Sequence, residues 1–195
     1  RIVRFTSGRY RNAWVKNVVA IGNASGFVEP LEATAIAVIC EHAAALVNTL
    51  IDSDRQIKPS QVRCFNRENA NNWDAIRRFL ALHYKINTRL DTPYWRDCRE
   101  TTDLAGAEEV VEHFQDSGPS VLWTKHVLQP NDPFGWEGYL AMLVGQQVPY
   151  EKTYTPSDEE WGHWNTLKAE LKQRADNAMP QEEALAMIRS ESWTW

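Results

Sequence analysis

The chain has 195 residues, a formal net charge of −5 and a pI of about 5.6. An acidic balance argues against a nucleic-acid partner, which calls for a basic face. With 43% apolar and 24% charged residues, the composition is that of a globular domain with a sizeable core, not of a disordered or fibrous chain.

The three cysteines, Cys40, Cys64 and Cys98, are widely spaced and form no C-x-x-C or Cys/His cluster. Neither a zinc site nor a disulfide framework is expected, and a reducing cytoplasm is the default compartment. No unbroken apolar run reaches the roughly 18 residues of a membrane span, and the N-terminus lacks a signal-peptide pattern, so no membrane segment is expected.

Arg1 to Gly8 alternates like a strand, with a turn at Gly8-Arg9. Val18-Val19-Ala20-Ile21 is a short apolar run bounded by Gly22 and reads as a buried strand. Asn23, Ser25 and Gly26 mark a tight turn. Pro30 opens a helix from about Leu31 to Ile51, with Leu31, Ile36, Ile39, Cys40, Ala43 and Val47 on one face. Asp52-Ser53-Asp54 ends it. A second long helix follows Pro59, capped at Ser60, and runs to about Lys85 with a break expected near Asn69 to Asn72.

Asp91-Thr92-Pro93 starts a short segment, and Leu104 to Phe114 reads as a helix. Val121 to Leu128 is apolar without a clear period. Trp136 to Val144 is an apolar helix stopped by Gly145. Ser157-Asp158-Glu159-Glu160 is a capping box opening a helix to about Ala175, and Pro180 begins a last helix over Gln181 to Arg189. The expected fold is mainly α with a short two-strand front. Two strands need sheet partners, of which this chain supplies few, so a larger parent protein is expected.

The strand, turn and helix at residues 18 to 51 leave the N–H groups near Thr34 and Ala35 unpaired in the first helical turn, a setting that favours an anion. Thr34 either adds a hydroxyl donor or only caps and packs. Glu29 and Glu32 either stabilise the helix dipole at the surface or include a proton handler. Phe134, Trp136 and Tyr139 either wall an aromatic substrate or pack a core. Arg63, Arg67, Arg77 and Arg78 read as a solvated helix face. His42, His83, His113, His126 and His163 show no ligand spacing.

Several blocks in order carry a resemblance. They are Ser7-Gly8-Arg9-Tyr10, Trp14 to Gly22, Gly26-Phe27-Val28-Glu29-Pro30-Leu31-Glu32-Ala33-Thr34, Phe65-Asn66-Arg67-Glu68, Phe79-Leu80-Ala81-Leu82-His83-Tyr84, Asp91-Thr92-Pro93-Tyr94-Trp95 and Gly145-Gln146-Gln147-Val148-Pro149. Together they resemble the C-terminal part of the flavin-dependent halogenases, the tryptophan halogenase family. The resemblance implies the C-terminal region of an α/β flavin-monooxygenase-like fold. Residues 1–51 would end the flavin-binding domain, and residues 52–195 would form a helical substrate-side region.

It further implies reduced FAD (FADH2) from a separate flavin reductase, and chloride or bromide oxidised to hypohalous acid that reaches a lysine near the aromatic substrate. Thr34 and Ala35 resemble the halide-binding pair, although the family often has Gly where Ala35 stands. Asn23 and Ile36 match flavin-contacting positions. Glu32 matches the essential glutamate beside the substrate, and Ala33 a substrate contact. Phe134 and Trp136 match the substrate segment loosely.

No G-x-G-x-x-G and no W-x-W-x-I-P is found; Trp193-Thr194-Trp195 only echoes the latter. The dinucleotide-binding part and the relay lysine are therefore expected outside this chain, which alone would neither hold FAD tightly nor halogenate. The parent would chlorinate or brominate an electron-rich aromatic such as indole or tryptophan. Its partners would be the reductase, the N-terminal part as another chain, or a second copy in a homodimer. The competing readings are a non-catalytic helical interaction module and a flavin hydroxylase; hydroxylases commonly carry Asp where Asn23 stands and lack the E-P-L-E block.

Overall fold

The computed structural model describes residues 4–152, 154–190 and 193. It divides into two compact units, Arg1–Lys152 and Thr153–Trp195. Within the first unit, residues before 52 pack directly on the helix that follows.

The front holds four very short strands in two antiparallel ladders. β1 (Gly8–Arg9) pairs with β4 (Gly26–Phe27), Gly8 opposite Phe27. β2 (Trp14–Val15) pairs with β3 (Val18–Val19), Trp14 opposite Val19. The mainly α fold with a small strand front is as expected, and two details of that front differ. Gly8-Arg9 is strand and not turn, and residues 18–21 are not a buried strand. The reason is local pairing: Lys16, at φ 56, and Asn17 close a two-residue hairpin loop, which leaves Val18 66% exposed. Arg1 to Val3, where the first strand was expected to begin, lie outside the described residues, as do Thr194 and Trp195.

Short 3-10 turns at Gly22–Ala24 and Leu31–Ala33 lead into α1 (Ala35–Asp52). The helix begins four residues later than expected. Glu32 (φ 64) and Ala33 (φ 50) adopt left-handed backbone, which interrupts the helical path begun at Pro30.

α2 (Pro59–Lys85) is unbroken across Asn69 to Asn72. Asn69 is buried with its amide turned onto side chains of other elements, so it does not compete for the local backbone. The cap is Lys58 and not Ser60: Lys58 N donates to Gln61 Oε1 at 2.8 Å, and Pro59 takes the first helical position. α3 (Pro93–Thr101), α4 (Glu108–Ser117), α5 (Val121–Val127) and α6 (Gly135–Gly145) complete the first unit.

α2 is the common element of the interior. Its Phe65 packs with Ala13 and Trp14, and its Trp73, Ile76 and Leu80 pack with Val38. Its Phe79 and Leu82 join Val110, Phe114, Tyr139 and Leu143 in the largest cluster. Arg78 departs from the expected solvated face. Its side chain is 13% exposed, and its Nη2 donates to Asp132 Oδ2 at 3.0 Å while Nε donates to the Tyr139 hydroxyl at 3.2 Å. The loop before α6 folds over this face of α2 and buries it. Arg77 does face solvent, paired with Asp103.

Among the described residues, one helical stretch, Leu31–Asp52, is long and apolar enough to cross a membrane by length and composition. This qualifies the expectation of no such segment, which counted only unbroken apolar runs. Val38 and His42 of this helix are buried against α2 and the preceding turn, and Glu41 accepts a hydrogen bond from Asn72.

The second unit holds α7 (Asp158–Asp176) and α8 (Gln181–Ile188). The capping box forms as expected: Glu160 N donates to Ser157 Oγ at 3.3 Å, and Ser157 N donates to Glu160 Oε2 at 2.8 Å.

Candidate functional site

The turn at residues 22–26 rests on a buried polar network. Gly22 N donates to Nδ1 of His42 at 3.2 Å, and Asn69 Nδ2 lies 3.0 Å from the same nitrogen. Nδ1 is therefore a bare acceptor, and the neutral ring carries its hydrogen on Nε2. Burial pushes the His42 pKa below its ordinary value, in keeping with that neutral form.

Ser25 Oγ donates to Gly22 O at 2.8 Å and accepts from Asn69 Nδ2 and Trp73 Nε1, each at 3.0 Å. Gly22 has φ +51, and a Cβ there would lie 2.1 Å from Ile39 Cγ1. A Cβ on Gly26 would lie 2.9 Å from the Trp73 ring. Bare backbone thus lets α1 and α2 clamp the turn from two sides. Asn23 is left exposed and borders a cleft of about 590 Å³ with Ser7, Arg9 and Tyr10.

The E-P-L-E block is held by two consecutive residues near the end of α2. The Tyr84 hydroxyl donates to Glu29 Oε2 at 2.5 Å. Burial, then Glu29, pushes the Tyr84 phenol well above its usual range, so it stays a donor. Glu29 Oε1 is buried without a hydrogen-bond partner among the described residues. His83 Nε2 lies 2.8 Å from Glu32 Oε1.

Glu32 and Ala33 sit back to back in left-handed backbone, which costs about 1–2 kcal/mol for each non-glycine residue. Such strain persists only where surrounding contacts impose it, and it clusters at working sites. Here Tyr84, His83 and the Ala33 N to Pro30 O bond (3.0 Å) impose it. Glu32 lines a cleft of about 850 Å³ with Phe79, Gly138, Ala141, Met142 and Gln146.

α1 begins directly behind Glu32. Thr34 and Ala35 are half-buried, and the Thr34 side chain makes no cap bond. The first-turn amides lie ahead of any carbonyl four residues back in the helix; Val38 N, bonded to Thr34 O at 3.0 Å, is the first to find one. This is an anion-suited end. Ile36 is 73% exposed on the same turn.

The structure therefore brings Glu32, Ala33, Thr34, Ala35 and Ile36 together at one helix start. Phe134 stacks on Phe79 with ring centroids 3.8 Å apart, Trp136 is half-buried against the core, and Tyr139 is fully buried. None of the three lines the Glu32 cleft; the aromatic surface there belongs to Phe79.

Sequence reasoning missed His83, Tyr84 and His42. The two histidines were passed over because their spacing suited no metal, and Tyr84 was named only within a block. Their role is hydrogen bonding to residues 20 to 55 positions away, which spacing does not reveal. The Phe79-Leu80-Ala81-Leu82-His83-Tyr84 block itself was the available clue.

Comparison with known proteins bears on this geometry. A family model described as tryptophan halogenase matches residues 1–159. Tryptophan 7-halogenase KtzQ of Kutzneria sp. (strain 744) is 39% identical over 120 residues, covering 62% of this chain and 22% of KtzQ. Tryptophan 7-halogenase RebH of Lentzea aerocolonigenes is 37% identical over 113 residues, covering 58% of this chain and 21% of RebH. The chain thus spans about a fifth of the length of these relatives.

Among solved structures, the tryptophan 5-halogenase MibH aligns over 99% of this chain and 39% of its own, with TM-score 0.79 and 35% identity. BrvH, a flavin-dependent halogenase from Brevundimonas sp. BAL3, aligns over 92% of this chain and 36% of its own, with TM-score 0.78 and 29% identity. With the family blocks, the clamped turn and the E-P-L-E helix start all in one frame, the chain belongs to the tryptophan halogenase family.

Proposed function

We propose that the full-length protein containing this chain uses reduced FAD to chlorinate or brominate an electron-rich aromatic such as indole or tryptophan, through hypohalous acid. The observation that carries this reading is Glu32, held in left-handed backbone at a cleft and directly before the start of α1. Residues 1–51 end the flavin-binding side in this reading, and the helices after them form the substrate side.

The residues fit a flavin on this face. Asn23 offers an exposed amide on the clamped turn, and Ile36 offers an exposed apolar side chain on the first turn of α1. When bound, reduced flavin supplies the oxidising equivalents from oxygen that halide needs. The backbone amides at Thr34 and Ala35 hold chloride or bromide, a role that survives Ala in place of Gly because it needs no side chain. Glu32 orients the oxidant or takes the proton that leaves the ring. Ala33 and Phe79 border the aromatic ring, with Phe134 and Trp136 supporting that wall from behind. The oxidant-relaying lysine lies outside this chain, and a separate reductase supplies the flavin in reduced form.

The test supplies the full-length protein with FAD, a flavin reductase and bromide, and screens tryptophan and a panel of indoles by mass spectrometry. Brominated product is expected, with a loss of about 100-fold or more in Glu32→Gln. No brominated product across the panel would sink the reading, and full rate in Glu32→Gln would remove Glu32 from the mechanism. Failure to halogenate, together with co-purification of a second polypeptide, would favour an interaction module; the exposed apolar side chains Ile36, Val47 and Ile51 of α1 are the observation behind that second reading.

A further inference from the structure

We infer that His83 is the positioning residue for Glu32, fixed by what its two ring nitrogens meet. Nδ1 lies 3.1 Å from the backbone carbonyl of Phe79, one helical turn back. A carbonyl only accepts, so Nδ1 carries a hydrogen. A neutral ring with its hydrogen on Nδ1 presents a lone pair at Nε2. Yet Nε2 stands 2.8 Å from Glu32 Oε1. Two lone pairs do not approach that closely, so a hydrogen lies between them. His83 and Glu32 thus meet through a hydrogen bond between Nε2 and Oε1.

Two consequences follow for Glu32. Its Oε1 is engaged, which leaves Oε2 as the oxygen available to the cleft. Its side chain is 39% exposed, whereas that of His83 is 14% exposed, so the histidine is the anchored partner. The Phe79 ring meets the imidazole edge-on at 5.3 Å and locks its plane. Phe79 also lines the cleft. One residue thus sets the wall of the site and, through His83, the direction of its carboxylate.

This inference rests on the proposed role of Glu32. The test uses the full-length protein and the variants His83→Phe, His83→Gln and the double variant Glu32→Gln/His83→Phe. With an indole that the wild type brominates, His83→Phe lowers kcat by about 10- to 100-fold and leaves KM within about threefold. His83→Gln restores kcat to within a few fold, because its side-chain amide presents a donor where Nε2 stood. In the Glu32→Gln background His83→Phe changes the residual rate less than about twofold.

Full kcat in His83→Phe overturns the inference. So does a loss in the Glu32→Gln background as large as in the wild type. A readout free of turnover separates this from failure of the halogenase reading. In 15N spectra of the imidazole, Nδ1 of His83 is protonated, and the Nε2 resonance moves in Glu32→Gln. A bare Nδ1, or an Nε2 indifferent to Glu32→Gln, overturns the inference whether or not product forms.

Discussion

Gly22→Ala tests the clamp on the turn most directly. Two costs add. Alanine at φ +51 pays the left-handed penalty of about 1–2 kcal/mol. Its Cβ would also stand 2.1 Å from Ile39 Cγ1, where carbons in contact prefer about 3.5–4.0 Å. Something must therefore shift by more than an ångström, and overpacking of that kind costs about 1–3 kcal/mol. The sum is about 2–5 kcal/mol, read as a lower urea midpoint at unchanged m-value. Ile39→Ala in the same chain removes the offending carbon. The double variant should recover the packing share and leave only the backbone share. The reasoning fails if Gly22→Ala is stable to within about 0.5 kcal/mol, or if Ile39→Ala recovers nothing.

Two further predictions concern the supports. His42 is buried with a depressed pKa, so the unfolded chain, titrating near pH 6.5, binds its proton more readily than the native chain. Stability from this group is fully present above about pH 6.5 and falls as the pH drops from there toward the native pKa, by at most about 1.4 kcal/mol per pH unit. Urea unfolding between pH 8 and pH 5 should show this slope in the wild type and lose it in His42→Gln; parallel curves would refute it. Asp132→Ala leaves the Arg78 guanidinium, 13% exposed, without its counter-charge and should cost about 3–5 kcal/mol. A loss below about 1 kcal/mol in the same assay would show that water reaches Arg78 instead.

Local chemistry made the helices legible. Ser157 and Glu160 form the capping box that their spacing announces, and Gly145 lies at the end of α6 as its position suggests. The front was misread because Val18 and Val19 pair with Trp14 and Val15 three to five residues away, so their apolar character reflects a hairpin and not a sheet interior. The helix start was misplaced at Leu31 because nothing local demands left-handed backbone at Glu32; the demand comes from His83, 51 residues from Glu32, and Tyr84, 55 residues from Glu29. Arg78 was misread for a related reason, since its partner Asp132 lies 54 residues away. The site residues on the motif were named from sequence, while the groups that hold them were not, because a hydrogen bond between distant segments leaves no periodic trace.

The role of α2 as shared rib also shapes how the site assembles. Bringing His83 to Glu32 in a free chain would close a loop of 51 residues, at about 3.5 kcal/mol of chain entropy by the logarithmic term. Once Asn69 and Trp73 have docked on Ser25, the rest of α2 is carried along as a rod. Only the short link from Ser25 to Glu32 remains to be ordered, about seven residues, at about 1.7 kcal/mol. The polar network under the turn thus halves the entropic cost of seating the glutamate, and the two sites of hydrogen bonding should form and melt as one cooperative unit.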